Sequence, residues 1–362
     1  MRILIVGAGI AGLALARALL QRGITAEVVE RTTEWNPSGT GLYLPANAVR
    51  AMDQLGIGLA VGARANPIGR QFLLDHRGRL LAEIDVERFW DGVGACVAIH
   101  RAALHEALRE ATAEVPVRLG VSVTGLEDSD QPSVSFSDGS TGSYHLVVGA
   151  DGVHSTIRGL AMGGPPAGYV GQACWRFVAD GFHDISDWTV MLGRGRTFLT
   201  LALGQGVVYC YADVSTSDPA GAEREDWRQL FADFADPVPR LLDQAEAYFA
   251  PIEEVAPPAW TARRVVLIGD AAHASSPNMA QGAAMAVEDA LVLAELLTAD
   301  QSIEQGLAGY EDRRKARVTW VQEQTHRRDR TRSLPPIVRN LTLRLAAERI
   351  FRSNYAPLRD LP

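Results

Sequence analysis

Ile3-Leu4-Ile5-Val6-Gly7-Ala8-Gly9-Ile10-Ala11-Gly12 is the stretch on which the reading of the chain turns. Ile3 to Val6 is a short, β-rich apolar run of the kind found in a parallel strand covered on both faces. The three glycines follow at once. Gly7 permits a tight turn, Gly9 lets the backbone approach a pyrophosphate, and Gly12 allows a helix to pack closely on the strand. Beyond them, Leu13, Leu15, Ala16, Leu19 and Leu20 recur at helical spacing until Gly23, and Ala26–Glu30 reads as a second strand. An anion would sit on the N-terminus of that helix, where free N–H groups and the dipole favour negative charge. Glu30, at the end of the second strand, is placed to accept hydrogen bonds from ribose hydroxyls.

Two further blocks repeat the theme. Residues 144–148 form a buried strand running into Gly149-Ala150-Asp151-Gly152, with Ser155 as a helix N-cap. Val265–Ile268 is another, delivering Gly269-Asp270 at its carboxyl end, the crevice position where open α/β sheets bind ligands. A helix over roughly 281–298 follows, and its first amides, at Gly282 and Ala283, face the same crevice. Glu288-Asp289 on that helix reads as a solvated or capping feature. Between the α/β pieces lie β-rich ones: a hairpin at 71–74 and 80–84, and antiparallel strands at 173–179, 197–203 and 207–213. The expected architecture is an α/β, Rossmann-like domain (1–66, 95–165 and 260–300) with an inserted, mostly antiparallel sheet domain (67–94 and 166–259). A C-terminal helical segment, 301–362, completes it.

Composition narrows the chemistry. The chain has 362 residues, 47% apolar and 22% charged, with net charge -8, which suits a packed globular protein and not a basic nucleic-acid-binding surface. Lys315 is its single lysine, in the run Arg313-Arg314-Lys315, so Schiff-base chemistry and the Gly-Lys-Ser/Thr phosphate loop are excluded. Cys96, Cys174 and Cys210 have neither metal-ligand nor disulfide-framework spacing. No run reaches the length of a membrane span, and the N-terminus lacks the features of a signal peptide, so a cytoplasmic protein without stable membrane insertion is expected. The segment from Glu311 onward carries +7 against -15 for the rest. It reads as a solvated helix packed on an acidic body.

The three blocks, in this order and spacing, resemble the single-component flavoprotein aromatic hydroxylases of the p-hydroxybenzoate hydroxylase family. That resemblance implies FAD as cofactor, NADH or NADPH as a transient reductant, and O2 as co-substrate. In such enzymes a flavin C4a-hydroperoxide hydroxylates a small electron-rich aromatic ring. It also implies roles for individual residues. Gly7, Gly9, Ile10, Ala11 and Gly12 hold the FAD pyrophosphate; Glu30, with Arg31 beside it, binds the adenosine ribose, and Val123 lies against adenine. Arg101 contacts the phosphate or ribityl chain, and Asp151 serves FAD and nicotinamide. Gly269 and Asp270 reach the ribityl hydroxyls, Pro277, Gly282 and Ala283 line the isoalloxazine ring, and Gly39-Thr40-Gly41-Leu42 is a mobile loop on its other side. Ala280 and Ala284 replace the glycine and asparagine usual in the family. No second glycine fingerprint exists for nicotinamide, which the resemblance explains.

The substrate, a small aromatic molecule, should lie between the inserted sheet and the flavin. A period of two puts Tyr209, Tyr211 and Asp213 on one strand face, and the two tyrosines are the candidates for orienting it. Trp175 stands on a neighbouring strand. His273, beside the third block, reads as a packing or capping residue. A flavin-dependent halogenase would need a catalytic lysine and a Trp-x-Trp-x-Ile-type segment, neither of which is present. A non-catalytic flavin-binding paralogue is the other alternative. A monomer or homodimer is expected.

Overall fold

The computed structural model describes residues 1–35, 40–163, 166–224 and 226–362. Ile3–Val6 lies inside a six-stranded sheet ordered Thr261–Ala262, Val265–Leu267, Leu146–Gly149, Ile3–Val6, Glu27–Glu30, Val117–Leu119. Every pairing is parallel except that of Thr261–Ala262 with Val265–Leu267. Ile3 to Val6 and Leu146 to Gly149 are wholly buried, which explains their continuous apolar runs. From Ile3–Val6 the chain goes one way to Glu27–Glu30, while Leu146–Gly149 inserts on the other side. The strand order therefore reverses beside Gly7, the position at which open α/β sheets bind their ligands.

The glycine turn is closed on two sides and open on the third. Gly7 has φ +105°, and a Cβ on it would stand 2.4 Å from the Ala150 carbonyl oxygen; one on Gly12 would stand 1.9 Å from the Gly7 oxygen. Nothing lies within 4 Å of the Cβ position at Gly9. The helix Ile10–Leu20 follows, and it packs on the helix Gly282–Leu297.

A seven-stranded sheet forms the second layer, ordered Tyr248–Glu254, Gly168–Ala179, Val207–Ser215, Arg196–Gly204, Trp188–Leu192, Arg70–Asp75, Leu80–Asp85. One face packs on the main core through Cys174, Trp188, Val190, Leu201, Tyr209 and Tyr211. The other is covered by Pro219–Arg224, Trp227–Phe231 and Val238–Leu242, and carries Phe177, Met191, Phe198 and Cys210. Trp188–Leu192 was not anticipated from the sequence. Val190 and Met191 are buried on opposite faces in separate cores, so the strand shows no polar alternation. It pairs in parallel with Arg70–Asp75, the one such pairing in this otherwise antiparallel sheet.

Gly41–Leu44 forms a small sheet with Val97–His100 and Ala65–Pro67. Gly41 and Leu42, expected on a mobile loop, therefore sit on a paired strand, with Gly41 opposite His100. Gly39 lies outside the described residues. The C-terminal segment is two long helices, Ile303–Thr331, opened by a Ser302/Gln305 capping box, and Pro336–Tyr355.

Candidate active site

The first block assembles as a cradle around Gly9. Glu30 bridges it: Oε2 accepts from the Ala8 N–H at 2.8 Å and Oε1 from the Thr32 N–H at 3.0 Å. Thr32 Oγ1 also donates to Oε1, at 3.2 Å, and a carboxylate has acceptor capacity beyond these three bonds for a ribose hydroxyl. Arg31 is exposed beside it. The Val121 N–H donates to the Glu30 carbonyl at 3.0 Å, and this brings the buried Val123 alongside. His105, which the sequence reading did not single out, meets the Ala8 carbonyl through Nε2 at 2.8 Å. Arg101 opens that same helix (Arg101–Ala111), exposed, its N–H bonded to the Thr40 carbonyl at 2.8 Å.

In the second block the Asp151 carboxylate is spent locally. It accepts from Ser155 Oγ at 2.5 Å and from the Thr156 and Ile157 N–H groups at 2.7 and 3.2 Å. Burial raises its pKa, and these bonds oppose the rise. Ser155 caps as expected, accepting from the Arg158 N–H at 2.9 Å. Arg158 is buried and ties the second block to the third, donating to the Val153 carbonyl at 2.8 Å and the Ala271 carbonyl at 2.9 Å.

In the third block Asp270 is exposed at the end of its strand, beside the start of the helix Gly282–Leu297: a Cβ on Gly282 would lie 3.9 Å from Asp270 Oδ1. Pro277 and Gly282 are exposed and Ala283 half-buried along the same rim. Ala280 holds the left-handed conformation, φ +49°, where a glycine is the easier residue.

Glu288 and Asp289 contradict the sequence reading. Both are buried, at 1% and 0% exposure, because the helix that carries them is enclosed by the core and the C-terminal helices. Arg314 donates to Asp289 Oδ1 at 2.7 Å and to Glu288 Oε2 at 2.8 Å, and Arg317 grips Glu288 with two bonds. Asp289 Oδ2 meets His273 Nε2 at 2.7 Å and the Gly269 N–H at 2.9 Å, which fixes the turn that presents Asp270. Asn47 adds bonds to Gln281 and Glu288. The basic segment is thus partly interior, with Arg314 wholly buried.

Opposite these blocks, the core-facing side of the seven-stranded sheet carries Gln71, Trp188, Gln172, Arg176, Tyr209, Tyr211 and Asp213 on facing positions. Gln71 Nε2, Trp188 Nε1, Gln172 Oε1, Arg176 Nε, Tyr211 Oη and Asp213 Oδ2 are all shielded from solvent without a hydrogen-bond partner, as is Oη of Tyr43, whose ring lies 4.3 Å from that of Trp188. Buried polar groups are nearly always paired, so these seven leave hydrogen-bonding capacity for the polar edge of a ligand. Burial pushes Tyr209 up to about 12, with Arg176 and Arg101 pulling the other way. Tyr211 stands well above the ordinary value through burial, reinforced by Asp213. Both phenols stay neutral near pH 7, as donors and not bases. The Tyr209 ring also packs closely on Gly41, since a Cβ there would stand 2.5 Å from it. Trp175 faces away, stacked 5.2 Å from Trp227 on the far side of the sheet.

The end of Ile303–Thr331 spans the two halves. Asp329 accepts from Asn278 and Ser276, while Arg332, one residue beyond, bonds Asp213, Thr197 and the Gly195 carbonyl. The strand period singles out Tyr211 and Asp213, but the other orphaned groups carry no sequence signal, because cross-strand neighbours such as Arg176 and Tyr211 are far apart along the chain.

The comparisons agree with this geometry. The FAD binding domain family matches residues 1–325. The chain is 34% identical, over 90% of its length and 88% of the relative's, to the 2-heptyl-3-hydroxy-4(1H)-quinolone synthase of Pseudomonas aeruginosa. It is 32% identical to the FAD-dependent urate hydroxylase of Klebsiella pneumoniae, covering 88% of this chain and 87% of that one. Klebsiella pneumoniae HpxO, solved with FAD and uric acid, superposes with a TM-score of 0.90 at 26% identity, over 99% of this chain and 97% of the other. The open cradle at Gly9, the bridged Glu30 and the exposed Asp270 suit a dinucleotide with a polyol chain, and the chain belongs to the p-hydroxybenzoate hydroxylase-like family of FAD-dependent aromatic hydroxylases, oxidoreductases that use NAD(P)H and O2.

Proposed function

We propose that this monooxygenase hydroxylates a planar, polar aromatic ring, a fused nitrogen heterocycle, held between the seven-stranded sheet and the flavin. The carrying observation is the set of orphaned polar groups on the sheet face, from Gln71 and Trp188 to Arg176, Tyr211 and Asp213. A quinolone and urate, the rings named for two relatives, are both flat fused heterocycles with several polar edge atoms. FAD, reduced by a nicotinamide, supplies the oxygen atom transferred from O2. The protein's own part is to bind, orient and exclude water.

In this reading the segments 1–66, 95–165 and 260–300 bind FAD and 67–94 with 166–259 bind substrate. Backbone amides after Gly9, at Ile10, Ala11 and Gly12, meet the pyrophosphate. Glu30 and Arg31 hold the ribose, Val123 borders the adenine, and Arg101 and Asp270, with Gly269 shaping the turn, engage the phosphate and ribityl chain. Asp151 shapes the second turn through its capping bonds. Pro277, Gly282 and Ala283 line one side of the ring, with the two amides opposing negative charge at its edge; Gly41 and Leu42 line the other. Tyr209 and Tyr211 orient the substrate by donating hydrogen bonds. Among the described residues no helix is long and apolar enough to cross a membrane, and the enzyme works in the cytoplasm as a monomer or homodimer.

The test is nicotinamide oxidation by the yellow holoprotein with 4(1H)-quinolones and purines as candidate substrates. A supporting result is stimulated, coupled oxidation with a hydroxylated product for at least one fused heterocycle. Stimulation by single-ring phenols alone would overturn the substrate class, and no flavin reduction with any of them would point to a non-catalytic flavin carrier.

A further inference from the structure

The last long helix, Pro336–Tyr355, is apolar on two opposite faces, and the fold uses one of them. Leu343, Ala347, Phe351 and Tyr355 turn inward. There the Phe351 ring lies 5.1 Å from that of Phe89, and the helix packs along Leu80–Asp85, the edge strand of the seven-stranded sheet. On the outward face stand Ile337, Val338, Leu341 and Leu345, which are 83%, 50%, 56% and 78% exposed. Their spacing puts them on one side of the helix, a turn apart. An exposed leucine by itself is ordinary, but four large apolar side chains on one helix face make a contiguous patch, and such patches mark contact surfaces.

The rim of the stripe is cationic. The helical period places Arg344 on one side of it and Arg349 on the other. Both are exposed, and neither has a hydrogen bond or ion pair among the described residues. Glu348, the single acid of the helix, is taken by Arg352 at 3.0 Å. An apolar stripe between unneutralised arginines suits a surface that is apolar in its depth and anionic at its boundary.

A second copy of the chain fits less well. Two such helices packed antiparallel about Leu341 would set Arg349 and Arg352 of one toward Arg330 of the other. The nearest acid along the chain there, Asp329, is already engaged by Asn278 and Ser276. Parallel packing would set arginine against arginine. The stripe also offers only a few hundred Å², below the roughly 800 Å² that each partner buries in a standard stable interface.

We infer that Pro336–Tyr355 is a membrane-docking helix. Its outward stripe seats reversibly in an anionic lipid bilayer, with the helix in the plane of the interface and Arg344 and Arg349 among the headgroups. The test floats the FAD-loaded enzyme with vesicles of pure phosphatidylcholine and of equal parts phosphatidylcholine and phosphatidylglycerol. Wild type should bind the mixed vesicles about tenfold or more tightly than the neutral ones, and less tightly as salt rises. The double variant Leu341→Gln, Leu345→Gln should lose binding, and Arg344→Gln, Arg349→Gln should lose the preference for anionic vesicles. All four side chains are exposed, so both variants should keep wild-type Tm, FAD content and nicotinamide oxidation.

Four results would overturn the proposal. The first is no binding of wild type to the mixed vesicles, which would leave the stripe to a protein partner. The second is binding that survives the leucine pair or an anionic preference that survives the arginine pair. The third is a wild-type dimer in sedimentation that the leucine pair turns into a monomer, which would give the stripe to a second copy. The fourth is a fall in Tm with the leucine pair, which would make the stripe structural.

Discussion

Asp270 is exposed at a strand end, and the turn beneath it is held by the Gly269 N–H bond to Asp289 and not by its own side chain. Asp270→Ala should therefore leave the sheet intact while weakening FAD retention by roughly 1.5–3 kcal/mol, the worth of hydrogen bonds to a charged group. FAD titration of the apoprotein, alongside thermal melts, checks it; equal FAD affinity in the variant would remove Asp270 from the site. The two tyrosines make a different prediction. Tyr211 has an orphaned hydroxyl, whereas Tyr209 also packs closely on Gly41. Tyr211→Phe should keep flavin reduction and raise uncoupled peroxide release, because a neutral donor to the substrate is lost without loss of packing. Tyr209→Phe should uncouple less. Peroxide formed per nicotinamide oxidised is the measurement, and wild-type coupling in both variants would reduce the pair to core residues.

At the scale of elements, the turn Pro277–Met279 ends on Ala280 in the left-handed region, φ +49°. Ala280→Gly removes a local cost of about 1–2 kcal/mol, offset by the greater freedom of glycine in the unfolded chain, about 0.4–1 kcal/mol. The expected outcome is a small rise in Tm or none, with the rim of the ring site reshaped little. A clear fall in Tm would mean that the Ala280 methyl packs more than its conformation costs. This element also shows what sequence can reveal. The glycine turn and the two glycine–aspartate turns were legible because each follows a buried strand and carries its own local signal. The Gly41–Leu44 strand was not, since glycine-rich sequence looks like a loop and its pairing with Val97–His100 is a distant contact. Glu288-Asp289 misled for a related reason: two adjacent acids read as a wet face, and only Arg314 and Arg317, a full helix later, make them interior.

That buried charge network joins the helix Gly282–Leu297 to Ile303–Thr331 and to the turn at Gly269. Burial is the largest single effect on the Asp289 carboxyl and raises its pKa, but His273, Arg314 and the Gly269 N–H together outweigh it and keep the group at about 2, below its ordinary 3.8. A depressed carboxyl stabilises the fold fully above its unfolded pKa and ceases to do so as pH falls through the folded value. Asp289 should thus begin to withdraw its support below about pH 4 and have lost it near pH 2. Asp289→Ala, which leaves Arg314 and His273 facing each other without the carboxylate, should destabilise by about 3–5 kcal/mol at neutral pH. Denaturant melts of both proteins across that pH range test this: the gap should narrow as pH falls, and a constant gap would assign the loss to packing.

Asp329 and Arg332 hold the 276–280 loop and the substrate sheet from one helix end, and both are made after every residue they hold. As the chain leaves the ribosome, the glycine turn and its parallel strands have their partners early. The substrate chamber does not. Its two walls stay unlatched until Ile303–Thr331 emerges and docks, so the join between them is among the last parts of the molecule to close.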